Sequence, residues 1–437
     1  MPKRPTSLEE AQIEPTFVED SILKMLNAQG ATQGADFVDM LKLPAGLIEP
    51  LIKSLRERDF IAPVSGGGIG GNFGLNFGLT KKGMEYVLDI KDRSPYFGSA
   101  PVKVHEYTES VKAQRFNSRL IQLKHLTAAF SDIKISQQYL YQLGPAINSG
   151  GPIFLYGKPG NGKTTMSERI ARLFRQGMFI PYAIESNGEI IQVYDEKVHV
   201  RVPENCLPEG HPLKENPKAA DPRWVYAFRP FVVVGGELTL DMLDLSHRDG
   251  QASYEGPFQM KANGGVLLID DFGRQKVTPT DILNRWIYPL EKQMDFLSLV
   301  SGKKIEVPFE IFLIFSTNLD PNDLGDEAFW RRIKYKIETP NPTESDFKMI
   351  FGIICKKMKI EFDEEAFNYL NEKYYKAQNR EYRSVHPRDI LSIIADHIHF
   401  YALPPKLTKK LIDLACYSFF GMEEVKQEKP TKLKKTG

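Results

Sequence analysis

A lysine and a threonine at the end of a glycine-rich loop are the residues best suited to chemistry in this chain. Residues 157–164 read GKPGNGKT and fit the phosphate-loop pattern G-x-x-x-x-G-K-S/T without a mismatch. Glycines let backbone N–H groups turn towards phosphate oxygens, Lys163 is placed to reach the β- and γ-phosphates of ATP, and the Thr164 hydroxyl is placed to hold Mg²⁺. The residues predicted to bind the nucleotide are Gly157, Lys158, Pro159, Gly160, Asn161, Gly162, Lys163, Thr164 and Thr165.

The loop lies between a predicted strand and a predicted helix. The apolar run Ile153–Tyr156 precedes it, and Met166, Ile170, Leu173 and Phe174 follow it at helical spacing. A glycine turn that matches the pattern by chance is the alternative. The strand–loop–helix context is the one a phosphate-binding loop requires, so it disfavours that alternative.

Two acidic residues end another apolar run about a hundred residues later. Val266–Ile269 predicts a buried strand that delivers Asp270 and Asp271 at its carboxyl end, where ligands bind in open α/β sheets. Asp270 is predicted to hold Mg²⁺, and Asp271 is predicted to act as general base towards the attacking water. Paired acids after a strand are a weak signal alone and a strong one together with the phosphate loop.

Three later stretches place further polar groups that could act on a nucleotide. Asn318 follows the apolar run at 311–315, and its amide is predicted to hold water against the γ-phosphate. Arg331 and Arg332 end a short predicted helix, where an arginine can reach the nucleotide of a neighbouring subunit. Arg388 begins a later helix and is predicted to contact phosphate across a domain interface.

The order of these motifs resembles that of the AAA+ ATPase family over about residues 127–420. The resemblance implies that ATP is bound and hydrolysed between subunits, usually in a six-membered ring, so a homo-oligomer is expected. It makes Asn318 the sensor-1 residue, Arg388 the sensor-2 residue and Arg332 the first choice for the arginine finger, with Arg331 in reserve. The stretch YEGPFQMKANGGVLLIDD at 254–271 further resembles the MoxR-like and magnesium-chelatase-like branch.

One position departs from the family pattern. Members of the family usually carry Asp-Glu in the second motif, and this chain carries Asp270-Asp271. The shorter side chain would lie about one methylene further from the water, which predicts slow hydrolysis or a nucleotide-gated switch. Hydrolysis is favoured because the sensor and arginine candidates are all present.

These motifs need an α/β fold, which is predicted as a P-loop AAA+ core with a parallel sheet, a C-terminal helical lid and an N-terminal winged-helix-like α+β domain. The predicted boundaries are 1–90 for the winged-helix-like domain, 91–126 for a linker, 127–340 for the core, 341–422 for the lid and 423–437 for a disordered basic tail. A β-hairpin insertion is expected near 180–225, turning at Asn187-Gly188. Tyr254 and Phe258 are candidates for gripping a substrate, and packing against the core is the equal alternative.

The N-terminal domain decides between two classes of partner. Its predicted hairpin, with the glycine stretch 66–71 at its tip, resembles the wing of a winged helix. Residues 1–95 hold 11 Lys and Arg against 13 Asp and Glu, whereas DNA-binding domains of this kind present a basic face. Docking to a protein client is therefore favoured, which predicts a protein-remodelling or chaperone-type motor. A DNA-associated ATPase and an ATP-gated scaffold that hydrolyses slowly or not at all remain as alternatives.

The composition agrees with a protein of the cytoplasm. The formal net charge is +1 and hydrophobic residues make up 42%, which is ordinary for a globular protein. No apolar run approaches the roughly 20 residues of a membrane-spanning helix, so membrane insertion is not expected. The start of the chain lacks the pattern of a secretory signal, and the 3 cysteines show neither zinc-site nor disulfide spacing.

Overall fold

A computed structural model describes residues 1–65, 71–93, 96–246, 253–321, 324 and 330–421. Three predictions fall wholly or partly outside these residues: most of the glycine-rich tip at 66–71, the basic tail at 423–437, and the beginning of the short helix before Arg331.

The N-terminal domain combines four helices with a small antiparallel sheet. Its elements are α1 (Pro15–Gln29), β1 (Thr32–Gln33), α2 (Gly34–Leu41), α3 (Ala45–Glu57), β2 (Ile61–Ser65), β3 (Asn76–Leu79) and α4 (Lys81–Arg93). The strands pair in the order β1-β3-β2. Phe37, Ile48, Ile52 and Phe77 are fully buried between the helices and the sheet, so the domain has a core of its own.

The segment 91–126, expected as a linker with some helix, contains a short strand and a helix that pack on the body of the protein. It contains β4 (Val102–Lys103) and α5 (Val104–Ala113). β4 pairs in parallel with the strand at 183–186, and Val102, Tyr107 and Val111 are buried in one hydrophobic cluster. Burial of these apolar side chains stabilises the segment on the body of the protein.

The central part of the chain alternates strands and helices. Its elements are α6 (Leu123–Ala129), α7 (Gln137–Asn148), β5 (Ile153–Tyr156), α8 (Lys163–Arg172), β6 (Gly177–Pro181), β7 (Ala183–Ser186), β8 (Glu189–Gln192), α9 (Pro212–Glu215), β9 (Trp224–Phe228), β10 (Phe231–Val234), β11 (Tyr254–Glu255), α10 (Phe258–Lys261), β12 (Val266–Ile269), α11 (Pro279–Lys292), β13 (Met294–Ser298), β14 (Lys304–Pro308), β15 (Phe312–Thr317) and β16 (Tyr335–Glu338).

A parallel sheet of five strands lies at the centre, in the order β10-β12-β15-β5-β16. Its middle strands are continuous apolar runs because both faces are covered. On one face Phe154, Ile269 and Phe315 pack with Trp286 of α11. On the other face, α7 and α8 cover alternate residues of the same strands. The predicted α/β class with a parallel sheet is confirmed.

The material inserted between α8 and β10 forms two further sheets with neighbouring elements. β7 and β8 make an antiparallel hairpin whose turn residues, Asn187 and Gly188, both have positive φ. β6 and β9 pair beside them, and β11, β8, β7 and β4 complete a sheet of four strands. Tyr254 is 4% exposed within this region, and its hydroxyl accepts a hydrogen bond from the Val300 amide at 3.0 Å. Tyr254 therefore packs inside the protein. This agrees with core packing, the alternative to its predicted role in gripping a substrate.

The C-terminal part forms a helical domain. Its helices are α12 (Glu344–Met358), α13 (Glu364–Leu370), α14 (His386–Phe400) and α15 (Lys409–Phe420), with a π-helical turn at Asn371–Lys376. Thr343 and Thr408 cap α12 and α15 by accepting backbone amides. Phe351, Phe367 and Ile412 belong to its buried core. Among all the helices described, none is both long and apolar enough to cross a membrane.

A buried arginine joins the N-terminal domain to the inserted sheets. Arg223 is 3% exposed and forms an ion pair with the equally buried Asp221 at 2.7 Å. Its guanidinium also donates to the carbonyl oxygens of Ala11 at 2.9 Å and Pro101 at 3.2 Å. One side chain therefore holds three separate segments together.

We expect Arg223→Met to destabilise the protein by about 3–5 kcal/mol, because the buried Asp221 carboxylate would lose its partner. The free energy of unfolding from urea titration followed by circular dichroism measures this loss. The control Arg119→Met changes an exposed arginine and should stay within about 0.5 kcal/mol of the parent. Equal effects of the two substitutions would contradict the role given to Arg223.

Candidate nucleotide-binding site

The glycine-rich loop that follows β5 has a backbone that only glycine tolerates easily. Gly157 has φ +142, and a Cβ atom there would lie 2.5 Å from Thr339 Oγ1 and 2.6 Å from the Thr339 carbonyl oxygen. Gly160 has φ +81, and a Cβ atom there would lie 2.5 Å from Val385 Cγ1. The loop is thus closely packed on its outer side, and its shape depends on the absence of side chains.

Lys163 begins α8 and lies in the mouth of this loop. Its Nζ donates to the carbonyl oxygens of Gly157 at 2.9 Å and Lys158 at 3.1 Å, and to Asn318 Oδ1 at 2.6 Å. Burial lowers the pKa of Lys163, and the charges of Asp271 and Asp270 oppose that shift. A buried ammonium group beside turned glycines is the cradle that a phosphate would enter.

Thr164 and Asp270 meet beside the lysine. The Thr164 hydroxyl donates to Asp270 Oδ2 at 2.7 Å, although the two residues are far apart in the chain. Asp270 Oδ1 accepts the backbone amide of Asp271 at 3.1 Å, and the Asp270 carbonyl oxygen accepts Gln275 Nε2 at 2.9 Å. A hydroxyl and a carboxylate in contact give the hard oxygen ligands that Mg²⁺ prefers, so these residues fit the metal.

Asn318 connects the lysine to the second acid. It follows β15, which lies between β5 and β12 in the sheet, so its amide reaches both neighbouring loops. Asn318 Oδ1 accepts Lys163, and Asn318 Nδ2 donates to Asp271 Oδ1 at 2.9 Å. Asp271 itself is exposed and has φ +49, a left-handed conformation that aspartate tolerates better than most residues. The structure thus brings the predicted base and sensor-1 residues together.

The two candidate finger arginines differ in their surroundings. Arg332 is 15% exposed, and its Nε and Nη2 donate to Glu291 Oε1 at 2.9 Å and 2.7 Å near the end of α11. Arg331 is exposed. A contact with a neighbouring subunit stays a prediction for both residues, and the Arg332 side chain already has a partner in its own chain.

The C-terminal helical domain, predicted to be a lid, approaches the loop through residues just before Arg388. The Val385 amide donates to the Gly160 carbonyl oxygen at 2.9 Å. Arg383 donates to Asn341 Oδ1, which also accepts Asn161 Nδ2 of the loop at 2.8 Å. The charge of Arg383 is one of the influences that lower the pKa of Lys163, after burial.

Arg388, in contrast, is 69% exposed and pairs with the adjacent Asp389 at 3.0 Å. The structure does not bring it to the phosphate loop, and its sensor-2 role stays a prediction. Sequence reasoning missed Arg383 because only the arginine next to proline matched the family motif. The signal that could have found it was a second basic residue in the same RSVHPR stretch.

The C-terminal helical domain is the part of the chain that matches a family model. A family model described as a domain of unknown function (DUF8689) matches residues 343–418, which is well under half of the chain. No curated protein matches. Similar solved structures include NtrX from Brucella abortus, with 14% identity, a TM-score of 0.41 and coverage of 66% of this chain and 58% of that chain.

A RuvB mutant from Thermotoga maritima is also similar, with 14% identity, a TM-score of 0.37 and coverage of 71% of this chain and 76% of that chain. This chain spans 58% of the NtrX structure, which is less than two-thirds of its length. Both TM-scores lie below 0.5, so neither similarity indicates a function for this chain.

Gly160→Ala should lower ATP affinity at least tenfold, because the new Cβ would lie 2.5 Å from Val385 Cγ1 and push the lid or the loop aside. Titration with a fluorescent ATP analogue measures this. Gly188→Ala is the matched control, since Gly188 has a similar φ of +84 but nothing within 4 Å of a Cβ. Both variants share the strain of a side chain at positive φ, roughly 1–2 kcal/mol, and only Gly160→Ala adds the collision with Val385. Equal affinities in the two variants would rule out a close lid–loop contact.

Arg383→Gln should reduce ATP affinity or turnover by roughly tenfold to a hundredfold, since a charge close to the phosphate cradle is lost. Arg388→Gln should change either quantity less than threefold, because its side chain is exposed and paired with Asp389. Nucleotide titration and phosphate release on both variants decide between the two arginines. The reverse ranking would restore Arg388 as the phosphate contact.

Proposed function

We propose that the protein is an ATPase of the AAA+ type that binds ATP with Mg²⁺ at residues 157–165 and hydrolyses it to ADP and phosphate. The observation that supports this most is the meeting of three loops at the carboxyl ends of β5, β12 and β15. They bring Lys163, Thr164, Asp270, Asp271 and Asn318 into one connected set of hydrogen bonds. Phosphate binding, metal binding and water activation would each have a residue suited to them.

Each of these side chains has a distinct part in the proposed reaction. Lys163 would exchange its loop carbonyl partners for the β- and γ-phosphate oxygens. Thr164 and Asp270 would hold Mg²⁺, which supplies neutralising charge on the phosphates. Asp271 would accept a proton from the attacking water, and Asn318 would orient both that water and the Asp271 carboxylate.

A second candidate is an ATP-gated scaffold with slow or absent hydrolysis. The observation that favours it is the contact of the short Asp271 side chain with Asn318 at 2.9 Å. The Asp271 carboxylate would have to break this hydrogen bond, or keep it through one oxygen only, before it could accept a proton from the water that attacks the γ-phosphate. Hydrolysis remains the first proposal because the acid lies beside the lysine and asparagine that would complete the reaction.

Assembly into a homo-oligomer belongs to the same proposal, and a hexameric ring is what the family resemblance implies. Arg331 and Arg332 lie in the turn just before β16, outside the sheet. The exposure of Arg331 supports a contact with a neighbouring subunit. Arg332 would first have to leave Glu291.

A protein client is favoured over nucleic acid as the partner of the N-terminal domain. The order of its helices and strands supports the winged-helix resemblance. In helix-turn-helix proteins the start of the recognition helix enters the major groove. Here Pro44, Gly46 and Leu47, at the start of α3, line a cavity of about 710 Å³ together with residues 1, 3–6 and 218–219 of the same chain. That end of α3 borders residues of its own chain, which disfavours its insertion into a DNA groove and leaves a protein client as the favoured partner of a remodelling or chaperone-type ATPase. A MoxR-like placement and a cytoplasmic location complete the proposal.

Asp271→Asn tests the proposed chemistry. We expect ATP affinity to change less than threefold and phosphate release to fall by about 10²–10⁴-fold, the usual contribution of a general base. The control Glu209→Gln changes an exposed loop acid and should release phosphate like the parent. Unchanged turnover in Asp271→Asn would remove that residue from the role of base. A parent protein that binds ATP and releases no phosphate would instead identify the scaffold.

The same assay separates the two classes of partner. Duplex DNA should leave phosphate release unchanged at both about 50 mM and 200 mM salt, since the N-terminal domain lacks an excess of basic residues. Stimulation that disappears at the higher salt concentration would favour the DNA-associated alternative.

A further inference from the structure

A cleft away from the nucleotide loop lies between the N-terminal domain and the inserted sheets. Its volume is about 440 Å³, within the range of sites that enclose small ligands. α2 and the residues after it supply one wall, and the other wall comes from β9, Tyr182 and the segment at 201–202. No residue of the loop at 157–165 lines this cleft.

The charged side chains that line the cleft are mostly cationic. They are Arg4, Lys42 and Arg201, against the single carboxylate of Asp39. Within the described part of the chain, none of the three cations forms an ion pair, although Arg4 donates to the Lys218 carbonyl oxygen at 3.3 Å. The cleft therefore holds an excess of positive charge that the protein itself does not neutralise.

Two of these cations lie on a tyrosine platform. The Arg201 guanidinium donates to the hydroxyls of Tyr182 and Tyr194 and lies 5.8 Å and 5.6 Å from the centres of their rings. Lys42 Nζ lies 5.5 Å from the centre of the Tyr182 ring. Lys42 also has φ +54, a conformation in which glycine or asparagine is more usual at a helix end. The two tyrosines thus hold both charges at the cleft through ring and hydroxyl contacts.

We propose that this cleft binds a phosphomonoester dianion. Three cations facing one carboxylate match a ligand with two negative charges, and a guanidinium with free donors suits phosphate oxygens. The cleft does not suit the stacking of nucleic-acid bases, because Lys42 and Arg201 already lie over Tyr182, and Trp224 is only 8% exposed. The ligand is recognised by its charge and by the size of the cleft.

The ligand would connect two parts of the protein. Arg4 and Lys42 belong to the N-terminal region. Arg201 belongs to the inserted sheets, where its backbone forms an antiparallel β-bridge with that of Ala227 in β9. A bound dianion would attract cations from both sides and hold the walls of the cleft together. The site is therefore placed to report a phosphorylated ligand to the part of the chain between α8 and β10.

Isothermal titration calorimetry on the full chain tests this proposal. ADP with Mg²⁺ is added first in excess, so that the loop at 157–165 is occupied before the probe. Two probes distinguish the source of the phosphate: glucose 6-phosphate, and a heptapeptide with a central phosphoserine. We expect at least one probe to bind. If the phosphopeptide is the better ligand, the unphosphorylated heptapeptide should bind at least tenfold more weakly than the phosphorylated one.

Arg201→Gln and Lys42→Gln should each weaken binding of the better probe at least tenfold. Lys53→Gln is the matched control, because Lys53 is an exposed lysine on α3 outside the cleft. ADP affinity should be unchanged in all three variants, which shows that they fold. Three results would each overturn the proposal. They are no binding of either probe, equal binding by the cleft variants and the parent, and Arg201-dependent binding of a single-stranded deoxythymidine decamer that is tighter than binding of either probe.

Discussion

The order of strands in the parallel sheet is the constraint on which the candidate site depends. β15 lies between β5 and β12, so the residue after it is placed to touch the loops that follow both of these strands. Asn318 occupies this position and bonds to Lys163 on one side and Asp271 on the other. A different strand order would leave the same motifs in the sequence but separate the lysine from the acid. The apolar cores on both faces of the sheet fix this order, and through it the geometry of the site.

The lid is joined to this sheet through the loop itself. Asn161 donates to Asn341, which also accepts Arg383, and Gly160 accepts the Val385 amide. Asn161 Oδ1 is buried and has no hydrogen-bond partner among the described residues, so this part of the loop is only partly satisfied. Any ligand that rearranges the loop must also rearrange these contacts. The position of the lid is therefore coupled to the state of the loop by hydrogen bonds rather than by a flexible connection.

Sequence reasoning succeeded where a motif adjoins a buried strand. Asp270 directly follows β12, Asn318 directly follows β15, and Lys163 follows β5 through the glycine-rich loop. The carboxyl ends of parallel strands meet at one edge, so the proximity of these residues was predictable from the sequence pattern. Contacts made by irregular segments could not be predicted in this way. Arg383 reaches the loop region from a turn, and its neighbour Val385 touches Gly160 through its backbone, which has no sequence signature. The pairing of the short strand at 102–103 could not be predicted either, because its partner strand at 183–186 lies far away in the chain.

The location of the insertion suggests how the two proposed anion sites relate. The inserted strands begin after α8, whose first residue is Lys163, and end where β9 leads into β10. β10 pairs with β12, and the amide of Asp270 donates to the Val234 carbonyl oxygen at 2.8 Å. α8 and β10 thus run from the candidate nucleotide site to the two ends of the insertion. Arg223, within the insertion, holds the N-terminal domain through the Ala11 and Pro101 carbonyls. A shift of α8 or β10 would therefore reach the cleft through covalent and buried contacts, so the two sites can influence each other without touching.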